Sequence, residues 1–182
     1  MPTVAEDTMK SLYQLAQSRR SVRKYTSEPV TDDAIRRILS VALTAPNSFG
    51  HRPVEYIVVR DPERIRALAA CKTMGGRMII GAGAVIVVMA ELSRGEFWVE
   101  DAAAASAYLL LAIEEEGLGA CWVQIRNRMG QKATSQEEIR ALLGVPENYG
   151  VLNLIALGGK GENPPPYTEG DLDANKIHFE TF

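Results

Sequence analysis

Apolar residues along this chain fall into runs with two periods, and the runs predict its elements. From Thr8 to Arg19, Leu12, Leu15 and Ala16 share one face at helical spacing, so a first helix is expected there. Thr31 precedes Asp32 and Asp33, and Ile35, Ile38, Leu39 and Ala42 line one side. That is a capped second helix running to near Ala45, because Pro46 disfavours helical backbone in the residue before it. Glu55 to Val59 alternates as a strand does. Asp61-Pro62 supplies a cap and a first-turn proline for a helix over 62–71, which ends at Met74-Gly75-Gly76.

Ala84 to Met89 is continuous and β-branched, the pattern of a strand covered on both faces. Phe97 to Glu116 predicts the longest helix. Its Ala102–Ala105 run admits a close neighbour, and Tyr108, Leu109, Leu110, Leu111 and Ile113 cover most of its circumference, which marks it as central and a candidate for a subunit interface. Gly117-Leu118-Gly119 ends it, and Ala120 to Ile125 reads as a strand. Ser135-Gln136-Glu137-Glu138 reads as a capping box for a helix over 136–143, closed by Gly144. Tyr149 to Leu157 is another apolar strand, Gly158-Gly159-Lys160-Gly161 a sharp turn, Pro164-Pro165-Pro166 an extended segment, and 167–182 a tail that needs a surface to lie on. The elements lack regular βαβ alternation, so the expected class is α+β, in one domain over 1–182.

Composition narrows the function classes. The 182 residues are 46% hydrophobic and 24% charged with a net charge of −3, so the basic footprint of a nucleic-acid binder is missing. The longest apolar run, Ala82 to Ala90, is too short to cross a bilayer, and the polar stretch Ala5-Glu6-Asp7 is no signal core, so no membrane partner is expected. Cys71 and Cys121 form no CxxC pair; they read as buried thiols of a reducing, cytoplasmic compartment, with no metal site. His51 and His178 are lone loop or surface histidines, Trp122 a core or interface residue, and Glu114-Glu115-Glu116 a solvated helix end whose charge opposes the dipole. Asp101 reads as a capping or pairing acid. Gly75-Gly76 and Gly81-Ala82-Gly83 do not follow a strand and open a helix, so neither is a dinucleotide loop.

The candidate chemistry lies in Arg19-Arg20-Ser21-Val22-Arg23. Three guanidiniums and a hydroxyl within five residues suit a phosphate, because the arginine fork matches its oxygens and nearby amides add donors. A basic cluster after a helix also serves the dipole, so the cluster alone does not decide.

Further pieces change that balance. Tyr25 follows the cluster, Ala45-Pro46-Asn47-Ser48 with Pro53 follows the second helix, and Gly117-Leu118-Gly119-Ala120-Cys121-Trp122 follows the long one. Leu157-Gly158-Gly159 follows the last strand, and Lys176-Ile177-His178-Phe179-Glu180 lies near the end. In this order, over nearly the whole chain, they resemble the small FMN-dependent nitroreductase family. The resemblance implies a central, mostly antiparallel sheet flanked by helices, in an intertwined homodimer with FMN at the seam and a tail from about 162 on the partner. Arg19, Arg20, Ser21 and Arg23 would hold the phosphate and ribityl chain, with Gly159 and Lys160 near the phosphate. The Pro46-Asn47-Ser48 loop would reach the flavin from the other subunit. Gln124 and Ile125 would offer backbone contacts near N5 and O4, and Arg20 or Arg23 would stand near N1 and O2.

The implied activity is ping-pong hydride transfer from NAD(P)H through flavin N5 to a nitroaromatic, quinone or similar small-molecule acceptor, chemistry that the cofactor performs without a catalytic side chain. The alternatives are a same-fold flavoenzyme with another reaction and a flavin-binding or redox-sensing module without fast turnover. Two departures stand out. Gly50 and Arg52 occupy positions where many members carry Asn and Gln, which makes Arg52 a candidate for the substrate side. Pro165-Pro166-Tyr167 stands where many carry an arginine on the phosphate, with Lys160 or Lys176 as candidate replacements.

Overall fold

Residues 10–182 are described by the computed structural model. Strands β1 (Val54–Val59), β2 (Ala84–Glu91), β3 (Gly119–Gln124) and β4 (Tyr149–Gly158) form one sheet in the order β1-β2-β4-β3, antiparallel at every pairing. Helices α1 (Leu12–Ser18), α2 (Asp32–Ala42), α3 (Pro62–Ala70), α4 (Trp98–Glu115) and α5 (Ser135–Leu143) cover it. The class is α+β, as the order of elements implies.

The unbroken apolar run of β2 has a direct cause. Val85, Val87 and Met89 pack with Ile65, Leu68 and Ile139 on one side of the sheet. Ala84, Ile86 and Val88 pack with Ile35, Ile38, Leu109 and Ile113 on the other. A strand with helices on both faces has no position left for a polar side chain, whatever its pairing direction. The polar exception is on β4, where Asn153 donates to Ser106 Oγ at 3.0 Å and so ties the sheet to α4.

Local chemistry shifts several element ends. The Thr31 hydroxyl accepts the Ala34 N–H, as its position predicts. Yet α2 stops at Ala42 rather than Ala45, because the Thr44 and Ala45 amides reach back only to Val41 and Ala42 in a tighter turn before Pro46. α1 opens at Ser11, whose hydroxyl and amide form a capping box with Gln14; Thr8 and Ala5-Glu6-Asp7 lie outside the described residues. At α5 the box is made by Thr134 and Glu137, one residue before the Ser135–Glu138 pair expected. Ser135 is instead fully buried, and Glu138 accepts the Lys132 and Ala133 amides.

Two expectations are corrected outright. Glu114 and Glu116 are not a solvated helix end. Glu114 is 5% exposed, and both its oxygens accept from Lys160 Nζ, at 2.9 and 2.8 Å. Glu116 takes a bidentate pair from Arg37 at 2.6 and 2.7 Å. These partners offset the unfavourable helix dipole. Nor is 158–161 a sharp turn: it runs on from β4 and pairs with 24–26. The Thr26 amide donates to Gly159 O at 3.0 Å and the Gly161 amide to Lys24 O at 2.9 Å. Glycine is required at 159 because a Cβ there would lie 2.1 Å from Thr26 Oγ1. Among the described residues, no helix is long and apolar enough to cross a membrane.

Glu114→Ala leaves the Lys160 ammonium half-buried without its partner. It is expected to lower the unfolding free energy in urea by about 3 kcal/mol, whereas exposed Glu115→Ala changes it by less than about 0.5 kcal/mol.

Candidate functional site

After α1 the chain runs along the outer edge of β3. The Val22 amide donates to Ala120 O at 2.9 Å, and Ser21 forms a parallel bridge with Ala120. Val22 is buried and seats directly on Gly119, where a Cβ would come within 2.7 Å of its side chain. Its neighbours Ser21 and Arg23 stay accessible, as alternation along an extended segment requires.

Residues 162–167 then cross this segment. Glu162 Oε1 accepts the Arg23 amide at 2.6 Å, and the Tyr167 amide donates to Gln17 O at 2.9 Å. Arg20 Nη1 donates to Pro165 O, and its guanidinium carbon lies 4.5 Å from the Tyr167 ring centroid. The result is a recess of about 310 Å³ lined by Arg19, Arg20, Ser21, Arg23, Glu162, Pro164 and Tyr167. Among the described residues none of these three guanidiniums has a carboxylate within ion-pair distance. Three cations and one carboxylate leave the recess with two positive charges, a match for a phosphate monoester, which carries about −1.5 to −2 near neutral pH.

The ground beside the recess is packed. The Tyr25 hydroxyl donates to Val22 O at 2.9 Å, and burial pushes its phenol far above the ordinary range. Burial also pushes the Cys121 thiol up, partly opposed by Arg23 beside it, and its Sγ lies 3.6 Å from Met78 Sδ. Cys121 is thus the packed thiol its strand implies.

Not every residue nominated from sequence is free to act as expected. Lys160 reaches Glu114, Gly159 packs on Thr26, and neither lines the recess. Lys176 is 80% exposed and lies 4.0 Å from Asp173. The Ile125 amide donates to Leu152 O at 3.1 Å, within the fold. Gln124 accepts Lys72 Nζ on its backbone oxygen at 2.8 Å and the Trp122 indole N–H on its side chain at 2.9 Å. Lys72 is a residue that sequence reasoning missed. Burial, then the nearby Arg128, lower its pKa, but nothing in its local spacing ties it to β3.

Pro46, Asn47 and Ser48 lie elsewhere. Pro46 and Asn47, with Arg52, Asp101 and Tyr56, line a second recess of about 250 Å³, which shares no lining residue with the first. Asp101, buried at the start of α4, holds the loop. Its Oδ1 accepts the Ser48 amide at 2.7 Å and the Ser48 hydroxyl at 2.9 Å. Asn47 Oδ1 accepts the Arg52 amide at 2.9 Å. These bonds hold Phe49 at φ 55° and Arg52 at φ 47°, left-handed backbone that costs a side-chain-bearing residue energy. Phe49 is 82% exposed, its ring 6.2 Å from that of Phe97. His51 and His178 belong to no metal cluster among the described residues. One chain therefore carries two separate recesses, with the nominated residues divided between them.

Comparison with known proteins shows the family. The Nitroreductase family profile matches residues 16–75 and 67–159. The chain belongs to the nitroreductase family. A relative from Archaeoglobus fulgidus, assigned as a NADH dehydrogenase/NAD(P)H nitroreductase, is 32% identical over 180 residues, covering 96% of this chain and 98% of its own. One of the same assignment from Methanothermobacter thermautotrophicus is 34% identical over 166 residues, covering 90% and 83%. Among solved structures, an FMN-dependent nitroreductase from Clostridium difficile R20291 superposes with a TM-score of 0.90 at 39% identity, covering 92% of this chain and 98% of that one.

Asp101→Ala removes the one acceptor of both the Ser48 amide and the Ser48 hydroxyl. It is expected to destabilise the protein by about 2 kcal/mol and to speed chymotryptic cleavage after Phe49. Asp101→Asn, which keeps an acceptor oxygen, is expected to show a smaller change in both readouts.

Proposed function

We propose that this chain is one subunit of a homodimeric, FMN-dependent oxidoreductase that takes hydride from NAD(P)H and delivers it to a nitroaromatic, quinone or similar small acceptor. The observation that carries this reading is the recess at the β3 edge, where guanidiniums without ion-pair partners, Ser21 and a strapping segment suit a terminal phosphate. The FMN-dependent structural relative and the NAD(P)H-assigned archaeal relatives support the cofactor and the donor.

When bound, FMN supplies the hydride chemistry at its ring. The chain's part is to hold and surround it. Arg19, Arg20, Ser21 and Arg23 would grip the phosphate and ribityl chain, and Arg20 or Arg23 would offer positive charge toward the ring. The Pro46–Ser48 loop of a second chain, fixed by that chain's own Asp101, supplies the opposite wall and excludes water. Donor and acceptor bind in turn on one open face.

A second copy also accounts for apolar surface that one chain leaves bare. Leu12, Tyr13 and Tyr108 are exposed, and so are Leu172, Ile177 and Phe179 on the tail. Residues 162–167 pack on their own chain rather than on a partner as expected, so we place the tail on the partner only beyond them, as an arm of a single domain, and the protein in a reducing cytoplasm that suits two buried free thiols.

The purified protein is expected to carry one FMN per chain and to be bleached by NADH or NADPH without oxygen. Arg19→Ala with Arg23→Ala should weaken FMN about 100-fold, through two lost charge-assisted contacts, and weaken riboflavin, which has no phosphate, far less. A wild-type protein that takes up no added FMN contradicts the proposal. Arg52, exposed at the second recess, is expected to meet the donor's phosphates. Arg52→Gln should raise KM for NAD(P)H about fivefold with kcat held; unchanged constants remove that role.

A further inference from the structure

Pro165-Pro166-Tyr167 stands where the resemblance implies an arginine, and neither Lys160 nor Lys176 lines the recess. The Lys160 ammonium is held by Glu114, and Lys176 lies out on the exposed tail. The residue in the recess wall is Tyr167. Its amide is bonded to Gln17 O, and its ring lies under the Arg20 guanidinium. The side chain is thus anchored through backbone and ring face, not through its hydroxyl.

We propose that Tyr167 is a phosphate-site residue of this protein, positioning Arg20 with its ring and donating its hydroxyl to the terminal phosphate of FMN. This rests on the FMN reading above. Arginine has five N–H donors in one plane, and stacking occupies the face while leaving the edges free. One edge donor is bonded to Pro165 O, so the strap and the stack together fix the plane, and the remaining donors are left for an anion. Glu162 lines the same recess, its Oε1 on the Arg23 amide. An untethered Arg20 could turn to that carboxylate and cancel a charge the ligand needs. A neutral donor at 167 also keeps the recess at two positive charges, balanced against a dianion, where a fourth guanidinium would leave one in excess.

The test measures FMN and riboflavin dissociation constants by flavin fluorescence on the full-length apo protein. Wild type is compared with Tyr167→Phe, which keeps the ring, and Tyr167→Leu, which loses ring and hydroxyl. Tyr167→Phe is expected to weaken FMN about fivefold and Tyr167→Leu about 20-fold. Riboflavin, which has no phosphate, should bind all three equally. Inorganic phosphate should compete with FMN more weakly in the Leu variant than in wild type. Thermal unfolding of each apo protein checks the fold. If both variants hold FMN as tightly as wild type, the Tyr167 role is overturned and the FMN reading stands. If FMN and riboflavin weaken in equal proportion, Tyr167 acts on the fold alone and the proposal is again overturned. Wild type that binds riboflavin and FMN equally shows no phosphate site, and both readings fall.

Discussion

The Val22 amide donates to Ala120 O at 2.9 Å, and four residues on the Thr26 amide donates to Gly159 O at 3.0 Å. Between these bonds an otherwise irregular stretch is fastened to the end of the sheet. An exposed strand edge is open to unwanted pairing, and this segment closes part of it. Val22 seated on Gly119 fixes which side chains turn inward, so Ser21 and Arg23 stay on the rim. The guanidiniums thus stand on a rigid base set by backbone bonds. Preorganisation of this kind lowers the entropy lost when an anion is gripped.

The same logic, on a different scaffold, governs the loop at the other recess. A buried carboxylate at the start of α4 holds Ser48 by two bonds, and neighbouring residues sit in left-handed backbone that a side chain disfavours. Such strain persists where surroundings over-determine it, and it gathers at working parts of proteins. Each chain thus spends its local order on two surfaces that face different recesses. Leu12, Tyr13 and the tail's apolar residues lie bare on one chain, surface that the proposed second copy would cover.

Much of this was legible from sequence where cause and effect lie close together. The apolar run of β2 and the Thr31 cap are local patterns, and each means in the fold what it means on paper; the arginine cluster stays together at one recess. The capping box at α5 slipped by one residue because Thr134-Ser135 offers two equivalent hydroxyls at the same spacing to two glutamates, and burial chose between them. Glu114 was misread because its partner is 46 residues away, beyond the reach of helix-end rules. The same distance hid the partner of Lys160, which is Glu114. Asp101 could be read as a pairing acid, but its partner Ser48, 53 residues away, could not be foreseen from spacing.

Subunit mixing tests the composite site most directly. A chain carrying Arg19→Ala with Arg23→Ala keeps its loop, and a chain carrying Asp101→Ala keeps its arginines. Neither alone should bind FMN with wild-type affinity. Unfolded together and refolded in equal amounts, half the dimers are mixed and each mixed dimer rebuilds one intact site, so roughly a quarter of the wild-type sites should return. Return of none would contradict a site assembled from two chains.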